Sequence, residues 1–183
     1  VAKRFDIDAN HSKHDLLEAI YNKVYEDYTN GVTPVIIIDE AQLIPDKATF
    51  EEIRLLTNFQ LDDVNLLSLI LIGQPDLKNR LERKVYLPLR QRIGLRYHLN
   101  PLNDDEIKEY ISYRLRIAGR TEPLFSEDAI KAICKLSKGI PRNINNIASN
   151  SLLEGFGMEA NFMTKEIIYD VAHELGLNGY SKN

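Results

Sequence analysis

Val35-Ile36-Ile37-Ile38-Asp39-Glu40-Ala41-Gln42 is the stretch on which the reading of this chain turns. Four consecutive β-branched residues, bounded by Pro34 and stopped by two acids, form the pattern of a strand buried on both faces of a parallel sheet. Open α/β sheets place ligands at the carboxyl ends of their strands, so this pattern delivers Asp39 and Glu40 to the working edge. An aspartate there can hold Mg²⁺ through its water shell. A neighbouring glutamate can polarise the water that attacks a γ-phosphate. The plainer alternative is an Asp-Glu pair that ends a buried strand and caps the turn after it, because short motifs match by chance.

Working outward, the apolar residues from Asp15 to Tyr28 (Leu16, Leu17, Ile20, Tyr21, Val24, Tyr25, Tyr28) recur at helical spacing, and Asn30-Gly31 closes the run. A second helix fits Lys47 to Asn58, capped near Asp46, with Phe50, Ile53 and Leu56 on one face. After a polar turn from Gln60 to Asn65, Leu66 to Ile72 repeats the buried-strand pattern and stops at Gly73-Gln74-Pro75. Two strands separated by a helix of this length predict a right-handed βαβ unit. A basic stretch follows (Lys78, Arg80, Arg83, Lys84, Arg90, Arg92, Arg96), read as a short helix, a turn and a strand near Leu95 to Leu99. Beyond Pro101 the pattern is helical throughout. Helices are predicted from Asp104 to Ala118 with an Asn103/Glu106 capping box, from Glu127 to Ser137 between Ser126 and Gly139, from Pro141 to about Glu154, and from Lys165 to Leu175 between Thr164 and Gly176.

Composition narrows the class. The 183 residues are 44% hydrophobic and 27% charged, enough for a packed domain and too apolar for a disordered tail. A mean hydropathy of -0.29, with no apolar run near the roughly 18 residues a membrane helix needs and no secretory signal pattern, gives a cytoplasmic expectation. The single cysteine, Cys134, and four scattered histidines (His11, His14, His98, His173) provide no disulfide framework and no ligand spacing for a structural metal. A net charge of -4 argues against coating nucleic acid by bulk charge, though a local basic patch remains compatible with it.

Further candidates fall in a definite order. Gln74 ends the second strand beside the two acids, where its amide could bond the water or the γ-phosphate; as a bare residue it also reads as a turn former. Arg90 and Arg92 lie in Pro88-Leu89-Arg90-Gln91-Arg92-Ile93. An arginine reaching a neighbouring subunit's phosphate stabilises transition-state charge, and the alternative is a solvated basic face. Gly139-Ile140-Pro141-Arg142 opens a helix with Arg142 in its first turn, while Asn143, Asn145 and Asn146 read as residues that cap, pack or bond locally. Cys134 reads as a small core residue, Tyr21, Tyr25 and Tyr28 as a packing stripe, and His98 as a packed or hydrogen-bonded side chain.

The runs VIIIDEAQLI, LILIGQPDL, LPLRQRIGLRYHLNPL and SKGIPRNINNI together resemble AAA+ ATPases of the ExeA (general secretion pathway protein A) type. These are relatives of transposition helper ATPases such as TnsC and MuB, and the GxPR element recurs in RuvB-like proteins. The resemblance runs from about Lys13 to Leu175. It implies an α/β fold: a partial P-loop NTPase sheet over 1–100, a helical lid over 101–177 and a loose tail over 178–183. Asp39 and Glu40 become Walker B, Gln74 sensor 1, Arg92 or Arg90 the arginine finger, and Arg142 sensor 2. ATP and Mg²⁺ are the implied cofactors. The implied partners are further copies joined through the arginine-finger face, together with a secretion-apparatus protein or, alternatively, a transposase and DNA gripped by the basic cluster from Lys78 to Arg96.

One departure stands out. No Gly-x-x-x-x-Gly-Lys-Ser/Thr phosphate loop occurs in the sequence. The chain is therefore expected to begin inside the ATPase module, with residues 1–8 resembling the end of a helix, and to bind ATP poorly alone. The strand that carries the loop is expected to be absent from the sheet, which leaves open edges.

Overall fold

The computed structural model describes residues 2–7 and 12–177. The chain divides into two compact units, Val1–Tyr97 and His98–Asn183. The expected tail 178–183, and Val1 and Asp8 of the expected helix end, lie outside the described residues; Ala2–Phe5 form a single 3₁₀ turn.

In the first unit, α1 (Lys13–Thr29) starts where the Ser12 hydroxyl accepts the Asp15 N–H at 3.3 Å. Helix α2 (Lys47–Leu56) starts where the Asp46 carboxylate accepts the Thr49 N–H at 2.8 Å, a bond that also holds the Asp46 carboxyl below its ordinary range. Strand β1 (Val35–Ile38) pairs in parallel with β4 (Ser68–Leu71), in register from Val35 opposite Ser68 to Ile38 opposite Leu71. Between α2 and β4, the polar turn folds into a two-rung antiparallel hairpin, β2 (Gln60–Leu61) and β3 (Val64–Asn65). Helices α3 (Pro75–Leu81) and α4 (Leu87–Arg90) follow, separated by a 3₁₀ turn at Lys84–Tyr86.

The parallel pair has one covered face. Ile36 and Leu69 pack on the cluster built by Ile20, Val24, Leu56, Leu66 and Leu67, and Ile38 and Leu71 pack on the cluster built by Ala41, Phe50, Leu77, Tyr86 and Leu89. The residues that alternate with them point the other way: Val35 is 55% exposed, Ile37 59%, Ile70 44% and Ile72 47%. The expectation of strands buried on both faces is therefore corrected, because among the described residues nothing covers the second face. The predicted strand 66–72 is also shorter than expected, since Leu66 and Leu67 turn into the core before β4 begins.

A larger correction concerns Leu95 to Leu99, where no strand forms. Leu95, Tyr97 and Leu99 are 82 to 85% exposed, and His98 is exposed with them instead of packed. An alternating apolar segment becomes a strand only when another strand accepts its hydrogen bonds, and the segment has no such partner among the described residues. The tyrosine stripe of α1 is partly packed: Tyr21 meets the Phe59 ring edge-on at 5.4 Å and stacks on Tyr25, which stays exposed.

The second unit consists of α5 (Asp104–Ile117), α6 (Glu127–Ser137), α7 (Pro141–Gly157) and α8 (Lys165–Glu174). Their inward faces form one core that includes Ile107, Ile133, Ile144, Ile147, Ile168 and Val171. The Asn103/Glu106 capping box and the Ser126 cap form as read. Thr164 sits at the N-terminus of α8 without capping it; its hydroxyl instead holds the Glu166 carboxyl below its ordinary range. Helix α7 runs one turn past Glu154, closing only at Gly157. Cys134 is buried in this core, and burial pushes its thiol up. Among the described residues no helix is long and apolar enough to cross a membrane.

Candidate functional site

The first unit gathers its polar groups where β1 and β4 end. Past Leu71 the ladder continues, with the Ile72 N–H donating to the Ile38 carbonyl at 2.9 Å and the Ala41 N–H donating back to the Ile72 carbonyl at 2.8 Å. For Ala41 to return to the partner strand, the chain must bulge between them. Glu40 takes up the bulge in a left-handed conformation, with φ 52° and ψ 37°. Such a conformation is uncommon for a side chain with a Cβ. Here it is fixed from both sides, since the Glu40 N–H also donates to Asp39 Oδ1 at 2.7 Å. As a result Asp39 and Glu40 are both exposed at the strand terminus.

Gln74 stands at the matching end of β4, preceding α3, and is likewise exposed. It is tied to Glu40 through a residue that the motif reading left without a role. The Gln42 side chain donates from Nε2 to Glu40 Oε2 and accepts, on Oε1, the Gln74 backbone N–H at 3.1 Å. The structure thus brings Asp39, Glu40 and Gln74 together and adds Gln42.

Arg90 and Arg92 lie elsewhere in the same unit. Arg90 ends α4, is half-buried and donates to the Glu82 carbonyl at 3.3 Å; Arg92 follows in the next turn, is exposed and reaches the Thr57 carbonyl at 3.4 Å. Arg142 belongs to the second unit, exposed in the first turn of α7 behind Pro141. Of the neighbouring asparagines, Asn143 Nδ2 donates to the Ser137 carbonyl, Asn145 Oδ1 accepts from the Tyr110 hydroxyl on another helix, and the Asn146 backbone carbonyl accepts from Asn150 Nδ2.

Arg80 differs from the rest of the basic stretch. Its guanidinium donates to the carbonyls of Gln42 and Ile44 and, through Nε, to the Tyr86 hydroxyl, and it lies 4.8 Å from the centre of the Phe50 ring. It therefore clamps the turn that follows the two acids. Hydrogen bonds from a charged donor contribute about 1.5 to 3 kcal/mol, and a cation over an aromatic face about 1 more. Arg80→Ala is expected to cost the first unit about 3 kcal/mol, read by urea unfolding followed at its tyrosines. A loss under about 1 kcal/mol would show that the clamp is dispensable. The two carbonyls it holds lie more than 30 residues upstream, so charge counting along the chain gives no sign of it.

Among the described residues no group of three or more His, Cys, Asp or Glu side chains gathers to hold a metal ion. One exposed aspartate at a strand end is instead the donor set that suits Mg²⁺ arriving on a nucleotide, since Mg²⁺ keeps several waters and takes one or two carboxylates plus phosphate oxygens.

Residues 1–81 match the family model described as AAA domain. General secretion pathway protein A of Aeromonas hydrophila is 39% identical over 142 residues, which are 77% of this chain and 26% of that protein. An uncharacterised HTH-type transcriptional regulator of Methanocaldococcus jannaschii is 28% identical over 149 residues, 79% of this chain and 36% of that protein. The chain thus spans about a quarter to a third of these relatives. Among solved structures, a RuvB point mutant of Thermotoga maritima superposes with a TM-score of 0.62 at 21% identity, covering 88% of this chain and 52% of its own. The ORC2 protein of Aeropyrum pernix superposes with a TM-score of 0.58 at 16% identity, covering 94% of this chain and 47% of its own. Both carry the same fold. The chain therefore has the AAA+ fold, with an AAA domain match over residues 1–81 and similarity to general secretion pathway protein A over 77% of its own length.

Proposed function

We propose that this chain supplies the hydrolytic part of an oligomeric, Mg²⁺-dependent ATPase whose phosphate grip lies in sequence outside these 183 residues. The observation that carries the reading is the left-handed turn at Glu40, which sets a carboxylate beside Asp39 and the Gln74 turn at the end of the parallel pair. Glu40 polarises the attacking water, Asp39 holds the nucleotide's Mg²⁺ and Gln74 bonds the water or the γ-phosphate. Arg92 is the better arginine finger, because it is exposed while Arg90 is half-buried against the Glu82 carbonyl. Arg142 then senses nucleotide from the lid. Hydrolysis changes the assembly of the oligomer, and the likeness to general secretion pathway protein A supports a secretion-apparatus protein as its partner, served from the cytoplasm. The DNA-gripping alternative has less support, since Arg80 is committed to the turn after Gln42 and Arg90 to a backbone carbonyl.

Two measurements test this. In isothermal titration with Mg·ATP, the 183-residue chain is expected to show no micromolar binding, because backbone N–H groups and a lysine of a glycine-rich loop are the main phosphate donors in such sites and the sequence has no such loop. Micromolar binding would overturn the placement of the grip. The longer protein carrying a phosphate loop is expected to turn ATP over, and its inability to do so would overturn the hydrolytic reading.

A further inference from the structure

We propose that Gln42 is a positioning residue that couples Glu40 to the Gln74 turn; the inference rests on the hydrolytic reading of Glu40. A carboxylate only accepts hydrogen bonds and a backbone N–H only donates them. The Gln42 amide faces one of each, Glu40 Oε2 and the Gln74 N–H, so only one of its two orientations satisfies both. The fit is made possible by Gly73. A Cβ at that position would stand 2.7 Å from Gln42 Oε1 and 3.3 Å from the Gln42 backbone nitrogen. Glycine is thus the residue that lets the amide lie against the sensor 1 turn.

The contact has a mechanical consequence. Glu40 is the bulged residue after β1; its N–H donates to the Asp39 carboxylate and the next residue, Ala41, donates to the Ile72 carbonyl, but its side chain extends into solvent. Gln42 is half-buried and fixes one carboxylate oxygen, leaving the other to accept from a water. The same amide holds the backbone at the point where Gln74 would meet a γ-phosphate. A displacement of that turn is thereby transmitted to the carboxylate through a single rigid group.

Amide hydrogen exchange by NMR on the 183-residue chain tests the coupling without nucleotide. In Gln42→Ala the Gln74 amide is expected to exchange roughly tenfold faster, the loss of one net hydrogen bond, while the amides of β1 and β4 keep their wild-type rates. Gly73→Ala forces the amide away with Gln42 still in place and is expected to reproduce the faster exchange. Unchanged Gln74 exchange in Gln42→Ala overturns the contact.

In the longer protein, Gln42→Ala is expected to lower kcat about tenfold at unchanged KM for ATP. A merely structural role would move both constants or neither, and unchanged kcat would overturn the positioning role. Absence of turnover in the wild-type protein would overturn the hydrolytic reading and with it the role of Gln42 in hydrolysis, while the exchange result still decides the contact.

Discussion

Glu40→Gln in the longer protein is expected to lower ATP turnover by about 10² to 10⁴-fold while leaving ATP affinity within about twofold, the range that general-base catalysis supplies. The substitution is nearly isosteric, and the new carboxamide oxygen can still accept from Gln42 Nε2, so the contact at the strand end survives. The left-handed backbone also survives, because it is set by the Ala41–Ile72 hydrogen bond and the Asp39 carboxylate and not by the Glu40 side chain. What is lost is the negative charge that draws a proton from water. Steady-state phosphate release, set against fluorescent ATP-analogue binding, separates the two effects. Turnover within threefold of wild type would remove Glu40 from the base role, leaving the Asp-Glu pair as a strand terminator. Equal loss of binding and turnover would place Glu40 on the nucleotide itself.

The parts of this site that were legible in the sequence are those whose causes are local. The β-branched run followed by acids, and the stop at Gly73-Gln74-Pro75, are encoded within a few residues, and the parallel pair and its polar end form as those segments predict. The caps at Asp46, Asn103 and Ser126 are local for the same reason, since each side chain bonds a backbone N–H three residues on. Burial is not local. Val35-Ile36-Ile37-Ile38 would read the same whether one face or two were covered, so the exposure of Val35 and Ile37 could come only from the surroundings. The same limit governs Leu95 to Leu99, where an alternating pattern states what a segment would do beside a partner strand. Arg80 and Gln42 were missed for a related reason. Each is an ordinary polar residue until folding brings Ile44 or Gln74 to it from more than 30 positions away.

Gly139→Ala is expected to destabilise the second unit by about 3 to 5 kcal/mol, the largest loss anticipated there. Gly139 has φ +72° and follows Lys138, itself left-handed at φ 52°, so the end of α6 is a double reversal. A Cβ at Gly139 would lie 2.2 Å from the Leu102 carbonyl oxygen, 2.8 Å from the Leu102 nitrogen and 2.9 Å from Pro101 Cβ. Two of the three are backbone atoms, and the Leu102 N–H already donates to the Gly139 carbonyl at 2.9 Å, so the segments cannot separate without losing that bond. Left-handed strain contributes about 1 kcal/mol or more, and forced displacement in a packed region about 1 to 3 more. Gly31→Ala provides the internal control, because Gly31 shares the positive φ at +76° but has nothing within 4 Å of its would-be Cβ. Urea unfolding of the two variants beside wild type isolates the steric part as their difference. Equal losses in both would show that Pro101-Leu102 yields freely. A functional consequence follows from position: Gly139-Ile140-Pro141-Arg142 sets where α7 begins and therefore where Arg142 projects. In the longer protein a variant that still folds at low temperature should weaken the nucleotide sensing proposed for Arg142 while the Glu40 turn of the first unit stays intact.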